Sequence, residues 1–248
     1  MSSGFDDFTE AEYRRLLSMA RDRWRFITCE EAFGDVSNAA VWRHDVDFSP
    51  QRALRLAEIE AEADVRATYF ILLTSNFYNA LESSVAKAIR GICERGHGLG
   101  LHFDPGLRGR RLPDGMSIEA SLAFDRRILE EYFGVPVAAF SYHNPTTVDG
   151  ALPDVDTIAG MVNTYGPTIR ERFSYVSDSN GLWRHRRLAD VLEAAGDSRL
   201  HVLTHPEWWT PEPMSPRDRV TRCIEGRSRR QHADYDELLE RHQRPNVR

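Results

Sequence analysis

Cysteine is scarce in this chain of 248 residues. Cys29, Cys93 and Cys223 are an odd, scattered set. They form no C-x-x-C pair, which excludes a zinc knuckle and a disulfide framework and predicts inert thiols in a reducing compartment. No apolar run approaches the roughly 20 residues a bilayer-crossing helix needs. The opening stretch MSSGFDDFTEAEYRR lacks a positive start and an apolar stretch, so no secretory signal is expected. Basic excess is missing as well: a net charge of −6 and a pI near 5.9 are not the footprint of a nucleic-acid binder. No internal repeat or low-complexity tract interrupts the chain. Together these absences predict a cytoplasmic protein with no nucleic-acid partner and no membrane span.

The composition that remains is 41% hydrophobic and 28% charged, ordinary for a folded domain and unlike a disordered chain. The length suits one domain, 1–248, of the size that single α/β barrels reach. Basic residues cluster at Arg108, Arg110 and Arg111 and again at Arg227, Arg229 and Arg230. Solvated surface is expected for both, with contact to an anionic substrate the alternative for the first.

Periodicity and punctuation divide the chain into alternating strands and helices. Thr9 and Glu12 form a T-x-x-E capping box ahead of Tyr13, Leu16, Leu17 and Ala20 at helical spacing. Ala39–Trp42 reads as a buried strand running into Arg43-His-Asp-Val-Asp47, and Ser49-Pro50 opens the next helix. Strands are expected at 67–73, 98–102, 135–140 and 200–204, with weaker candidates at 159–164 and 173–176. Helices are expected at 84–95, 117–133 and 188–195, and a short one near Asp234, followed by a frayed tail after Arg241. Such alternation argues a parallel sheet with crossover helices. About seven strands fit an α/β fold: a single distorted (β/α)7-type barrel, core about 39–209, with extra N- and C-terminal helices.

Chemistry-bearing residues track the ends of those strands. Asp45, Asp47, His102, His143, Asp178 and His205 each sit at or just past one, and in a parallel barrel these ends share a face. Asp45 and Asp47 flank Val46, so strand alternation puts both carboxylates on one side, where a cation would relieve their repulsion. Asp47 alternatively caps the helix at Ser49. His102 closes a glycine-rich strand with Asp104 as a nearby partner. His97, at that strand's start, points to the opposite end and reads as structural. His143 lies in Ser141-Tyr-His-Asn-Pro145, where Pro145 biases Asn144 towards an extended backbone; a turn histidine bonding backbone is the alternative. His205 precedes Pro206, Glu207, Trp208 and Trp209, either a sugar-like substrate floor or a packed aromatic cluster.

The order Arg43-His-Asp-Val-Asp47, Ala67-Thr-Tyr-Phe70, Gly96-His-Gly-Leu-Gly-Leu-His102 and Leu203-Thr-His205 resembles the polysaccharide deacetylase superfamily, in an HDVD-containing branch. The resemblance implies a distorted barrel that removes acyl groups with a divalent metal, most often zinc. It implies Asp45 as general base, Asp47 and His102 as metal ligands, and His205 as the acid that protonates the leaving group, with Asp178 orienting a catalytic partner. The family's second metal histidine, four residues after the first, is here Gly106. His143 is the expected replacement, with Asp104 the alternative. Asp104, Asn144, Glu207, Trp208 and Trp209 are expected to contact a carbohydrate or small-molecule substrate. The expected activity is removal of an acetyl-like group from a sugar or related amide, in surface-polysaccharide or small-molecule biosynthesis. The alternatives are hydrolysis of another C–N or glycosidic bond, or a non-catalytic carbohydrate-binding barrel.

Overall fold

The computed structural model describes residues 5–106, 116–145 and 152–247. Its strands are β1 (Arg25–Ile27), β2 (Ala39–Val46), β3 (Thr68–Leu72), β4 (Gly98–Phe103), β5 (Val137–Tyr142), β6 (Thr157–Ile158), β7 (Met161–Asn163), β8 (Ser174–Ser179), β9 (Leu182–Trp183) and β10 (Arg199–Thr204). Eight of them run parallel, seven in the spatial order β7-β5-β4-β3-β2-β10-β8 and β1 paired beside the start of β2. This is the curled sheet of a (β/α) barrel, and among the described residues no ladder joins β7 to β8, so it stays open there. Antiparallel β6 and β9 extend the two ends. The expected strand at 159–164 is instead the β6–β7 hairpin. It turns at Ala159 and Gly160, which take φ +51° and +71° and so cannot continue a strand.

The helices are α1 (Glu10–Arg21), α2 (Pro50–Glu62), α3 (Ser83–Glu94), α4 (Ile118–Phe133), α5 (Pro167–Arg172), α6 (Leu188–Ala194) and α7 (Pro216–Arg241). Local chemistry starts and stops them. The Glu12 N–H donates to Thr9 Oγ1 and the Arg52 N–H to Ser49 Oγ, each at 3.2 Å. Gly134, at φ +71°, ends α4 by donating its N–H to the Glu130 carbonyl. The short C-terminal helix expected near Asp234 is the last part of 26-residue α7. Ser215 caps α7, and pairs such as Arg230–Asp234 at 2.6 Å run along it. Only Arg219 of α7 is buried, so it carries little apolar periodicity for a sequence reading to detect. No helix among the described residues is long and apolar enough to cross a membrane.

Strand alternation splits the core in two. Ala40, Trp42 and Val46 of β2 face outward into the large cluster packed beneath the helices, while Ala39 and Val41 join a second cluster with Ile27, Cys29, Ala32, Val36 and Phe70. That inner cluster floors the barrel. On the outer face, buried Glu60 of α2 accepts hydrogen bonds from Tyr13 and Tyr69 and contacts His44 Nε2 at 2.7 Å; His44 Nδ1 lies 2.9 Å from Thr204 Oγ1. These bonds supply the polar partners that a buried carboxylate requires, and they pin α1, α2, β2, β3 and β10 together. His97 is structural, as expected: Nε2 contacts the Ala57 carbonyl and Nδ1 accepts the Ala67 N–H. Gly100 of β4 allows the interior to close, since a Cβ there would stand 2.5 Å from Phe70 Cδ1.

Candidate active site

Inward alternation along β2 stacks Arg43, Asp45 and Asp47 above the apolar floor. Three donor atoms then meet at the strand ends: Asp47 Oδ1 to His102 Nε2 is 3.2 Å, Asp47 Oδ1 to His143 Nδ1 is 3.5 Å, and His143 Nδ1 to His102 Nε2 is 3.1 Å. Donors about 2.1 Å from a tetrahedral zinc ion stand ~3.4 Å from one another, so the triangle has the size a divalent ion needs. Asp47 Oδ1 is buried and has no hydrogen-bond partner among the described residues, which an ion would supply. His102 Nδ1–H donates to the Ser141 carbonyl at 3.2 Å, leaving Nε2 with its lone pair towards the triangle. His143 Nε2 meets the Asn144 amide nitrogen at 2.8 Å; with that amide turned over, Nε2–H donates to its oxygen and Nδ1 presents a lone pair. Burial opposes charge on Asp47, yet the His102 and His143 contacts hold its pKa well below the usual carboxylate range. His143 responds in the opposite sense: burial pulls its pKa down and Asp47 more than restores it.

Asp45 lies beneath the triangle, 3.7 Å from His102 Nδ1. Arg43 Nη1 bridges its two oxygens at 2.9 and 3.1 Å, and Ser141 Oγ donates to Oδ2 at 2.9 Å. Oδ2 accepts both of its bonds from these groups, while Oδ1 accepts one and keeps a second lone pair for another proton. Arg43 is completely buried, stacks within 5.0 Å of the Tyr165 ring centre and donates from Nε to His201 Nε2 at 3.0 Å. Burial and the Arg43 charge push the His201 pKa far down, so a neutral imidazole accepts that bond.

Across the mouth, Asp178 accepts from both the His205 backbone N–H, at 3.0 Å, and ring Nδ1–H, at 2.5 Å. Ring Nε2 is thereby aimed at the centre, 3.9 Å from Asp47 Oδ2. Burial lowers the His205 pKa, but the Asp178 and Asp47 carboxylates overcome it and raise the value well above normal. Glu207 is also buried, and among the described residues neither carboxyl oxygen has a hydrogen-bond partner. Burial and repulsion from Asp47 keep it protonated well above the usual range.

The structure thus brings Asp45, Asp47, His102, His143, Asp178 and His205 to one end of the barrel. Gly106 offers no donor in the family's usual place. Asp104 lies near enough to His143 for its charge to be felt, but outside the triangle. Other expectations change. Trp209 is no substrate floor: it is fully buried, with ring centres of Tyr13 and Phe8 at 4.6 and 4.9 Å. Trp208 is buried in the same cluster. Asn144 is not extended but at φ +46°, a conformation asparagine tolerates, and this turns its side chain back to His143. Arg108, Arg110 and Arg111 lie outside the described residues. Arg227 is not simply solvated, since it bonds Glu82 at 2.7 Å. Arg43, Ser141 and His201 were missed as site residues; only the inward alternation of Arg43 with Asp45 could have signalled one of them.

No protein-family model and no curated protein matches the chain. Among solved structures it is similar to a family 4 acetyl xylan esterase from Clostridium thermocellum in complex with a cobalt ion, at 16% identity and TM-score 0.40 over 76% of this chain and 84% of that one. It is also similar to the Streptococcus pyogenes deacetylase PplD in complex with acetate, at 14% identity and TM-score 0.41 over 86% and 85% of the chains. A third is the Bacillus anthracis protein BA3943, described as a CE4 family pseudoenzyme, at 14% identity and TM-score 0.40 over 77% of this chain and 60% of that one. At such low identities and scores the likeness has no bearing on activity, which is judged from the residues.

Proposed function

We propose that this protein is a metal-dependent hydrolase that removes an acyl group from a sugar or a related amide or ester. The observation that carries the reading is the Asp47–His102–His143 triangle flanked by two separately anchored acid–base groups, Asp45 on Arg43 and His205 on Asp178. A divalent ion held by Asp47, His102 and His143, most suitably zinc for this nitrogen and oxygen set, would polarise the acyl carbonyl and acidify a water. Asp45 takes the proton from the attacking water as the new C–O bond forms. Arg43 and Ser141 hold the Asp45 carboxylate in place for that transfer. His205, charged because of Asp178, delivers its Nε2 proton to the departing nitrogen or oxygen as the acyl bond breaks. The products are a carboxylate and a free amine or hydroxyl, so atoms and protons balance.

The test is acetate release from a panel of acylated amino sugars, by protein loaded in turn with zinc, cobalt and no metal. Metal-dependent release is expected. Full activity in metal-stripped protein, or tight metal binding with no release across the panel, would sink the reading.

A further inference from the structure

Beside the triangle lies a cavity of about 830 Å³, walled by the start of α2, by α3, by the turn Pro206–Trp208 and by one face of α7. Its size is that of a small-molecule pocket. Phe48, which follows Asp47, and Glu207, which feels the charges of Asp47 and His205, both line it, so the cavity lies next to the proposed reaction centre. Its charge runs against that of the whole protein. Eight arginine or lysine side chains line it against four acidic ones, of which Glu207 is held protonated, in a chain whose net charge is −6.

Some of that charge is neutralised, as in Arg227–Glu82 at 2.7 Å and Arg230–Asp234 at 2.6 Å. Arg52 is paired too, its Nη2 lying 2.7 Å from Glu10 Oε1, but two inner donors are left over. Arg222 Nη1 and Arg52 Nε are buried without a hydrogen-bond partner among the described residues. Leaving such a donor unmet is costly in a folded protein. Arg52 feels the charge of Arg222, which adds to burial in lowering its pKa. Two guanidinium groups side by side repel unless an anion lies between them. Their planar N–H forks match phosphate oxygens in a way a lone ammonium does not. On the neighbouring wall the rings of Phe48 and Phe77 lie 4.1 Å apart, an apolar surface beside the cationic one.

We infer that this cavity holds the phosphate or pyrophosphate of the substrate between Arg52 and Arg222, so that the enzyme deacylates a phosphorylated sugar rather than a neutral glycan. The substrate assignment rests on the hydrolase reading above; the anion site rests on the cavity itself.

Isothermal titration of the metal-loaded full chain with inorganic pyrophosphate tests the site directly. Wild type binds, and Arg222→Gln weakens binding by about ten-fold or more, the usual worth of one charge-assisted hydrogen bond. Lys87→Gln, on the exposed rim of the same cavity, weakens it several-fold and serves if Arg222→Gln fails to fold. Arg127→Gln, on the exposed face of α4, has no effect. In the activity arm, acetate release is compared for an N-acetylhexosamine, its 1-phosphate and its nucleoside-diphosphate form. Arg222→Gln raises KM for whichever phosphorylated form is preferred at least ten-fold more than for the neutral sugar. No pyrophosphate binding, or equal binding by wild type, Arg222→Gln and Lys87→Gln, overturns the inference. So does a wild type that prefers the neutral sugar. Pyrophosphate binding that Arg222→Gln abolishes, with no acetate from any compound, would instead remove the deacylase reading and leave the anion site standing.

Discussion

Asp178 grips His205 at two points, accepting from its backbone N–H at 3.0 Å and from ring Nδ1–H at 2.5 Å. One bond fixes the strand end and the other fixes the tautomer and direction of the ring. The proton that remains free is the one on Nε2, facing the metal triangle. The same carboxylate supplies most of the charge that raises the His205 pKa against its burial.

Replacing Asp178 with Asn therefore has a directional consequence. The raised pKa keeps His205 protonated below it, and the proton is lost as pH climbs through it. Without the carboxylate that pKa falls, so the alkaline limb of kcat/KM moves to lower pH and the rate near neutrality drops by roughly a hundred-fold. A pH–rate profile of Asp178→Asn with an unmoved alkaline limb would remove Asp178 from its positioning role.

Metal affinity separates the ligands. Asp47→Ala, His102→Ala and His143→Ala should each strip the ion, while Asp104→Ala should matter less. Asn144→Ala should weaken the ion by about ten- to a hundred-fold through loss of the His143 anchor. Because the histidines must be neutral to bind, affinity should also fall as pH drops below the ordinary histidine range. Elemental analysis of each variant, dialysed at several pH values, gives the ranking. Full metal in His143→Ala and none in Asp104→Ala would move the third ligand to Asp104.

Catalysts should part from ligands in the same assay. Asp45→Asn and His205→Ala are expected to retain the ion yet lose activity by roughly a hundred-fold or more. Loss of metal in either variant would make that residue a ligand.

Arg43 is a structural test as well as a positioning one. Its removal leaves Asp45 buried and uncompensated, so Arg43→Leu should lower stability by about 3–5 kcal/mol, measured by chemical denaturation. A smaller change would mean that water replaces the guanidinium.

Gly100→Ala probes the barrel interior. The added Cβ meets Phe70, whose ring lies 5.5 Å from the Arg43 guanidinium, so the strain passes directly beneath Asp45. A stability loss of about 1–3 kcal/mol is expected, together with reduced activity at full metal occupancy. Wild-type melting and activity in Gly100→Ala would show that β4 can shift without disturbing the site.

How far the sequence could be read depended on the range of the forces involved. Thr9, Ser49 and Gly134 act on backbone groups three or four residues away, and the helix ends they imply are where the helices begin or stop. The C-terminal helix was read too short because its weakly amphipathic turns depend on charge pairs and on docking against distant segments, not on an apolar stripe. Trp209 was ambiguous because an aromatic residue after a histidine has the same local signature in a floor as in a core. Phe8 and Tyr13, some 200 positions earlier in the chain, decide between them.

Local patterning along the chain is enough for the alternation of strand and helix, the strand-end positions of Asp45, Asp47, His102, His143, Asp178 and His205, and the shared side of Asp45 and Asp47. Those follow from periods of 2.0 and 3.6 residues and from caps, all of them local. The packed fold alone sets that His143 stands 3.1 Å from His102, that Arg43 and Ser141 secure Asp45, and that α7 closes a cationic cavity beside them. Each of those depends on sub-ångström placement of atoms from strands and helices far apart in the chain. That placement is set by how the barrel curls and packs, and no local pattern encodes it.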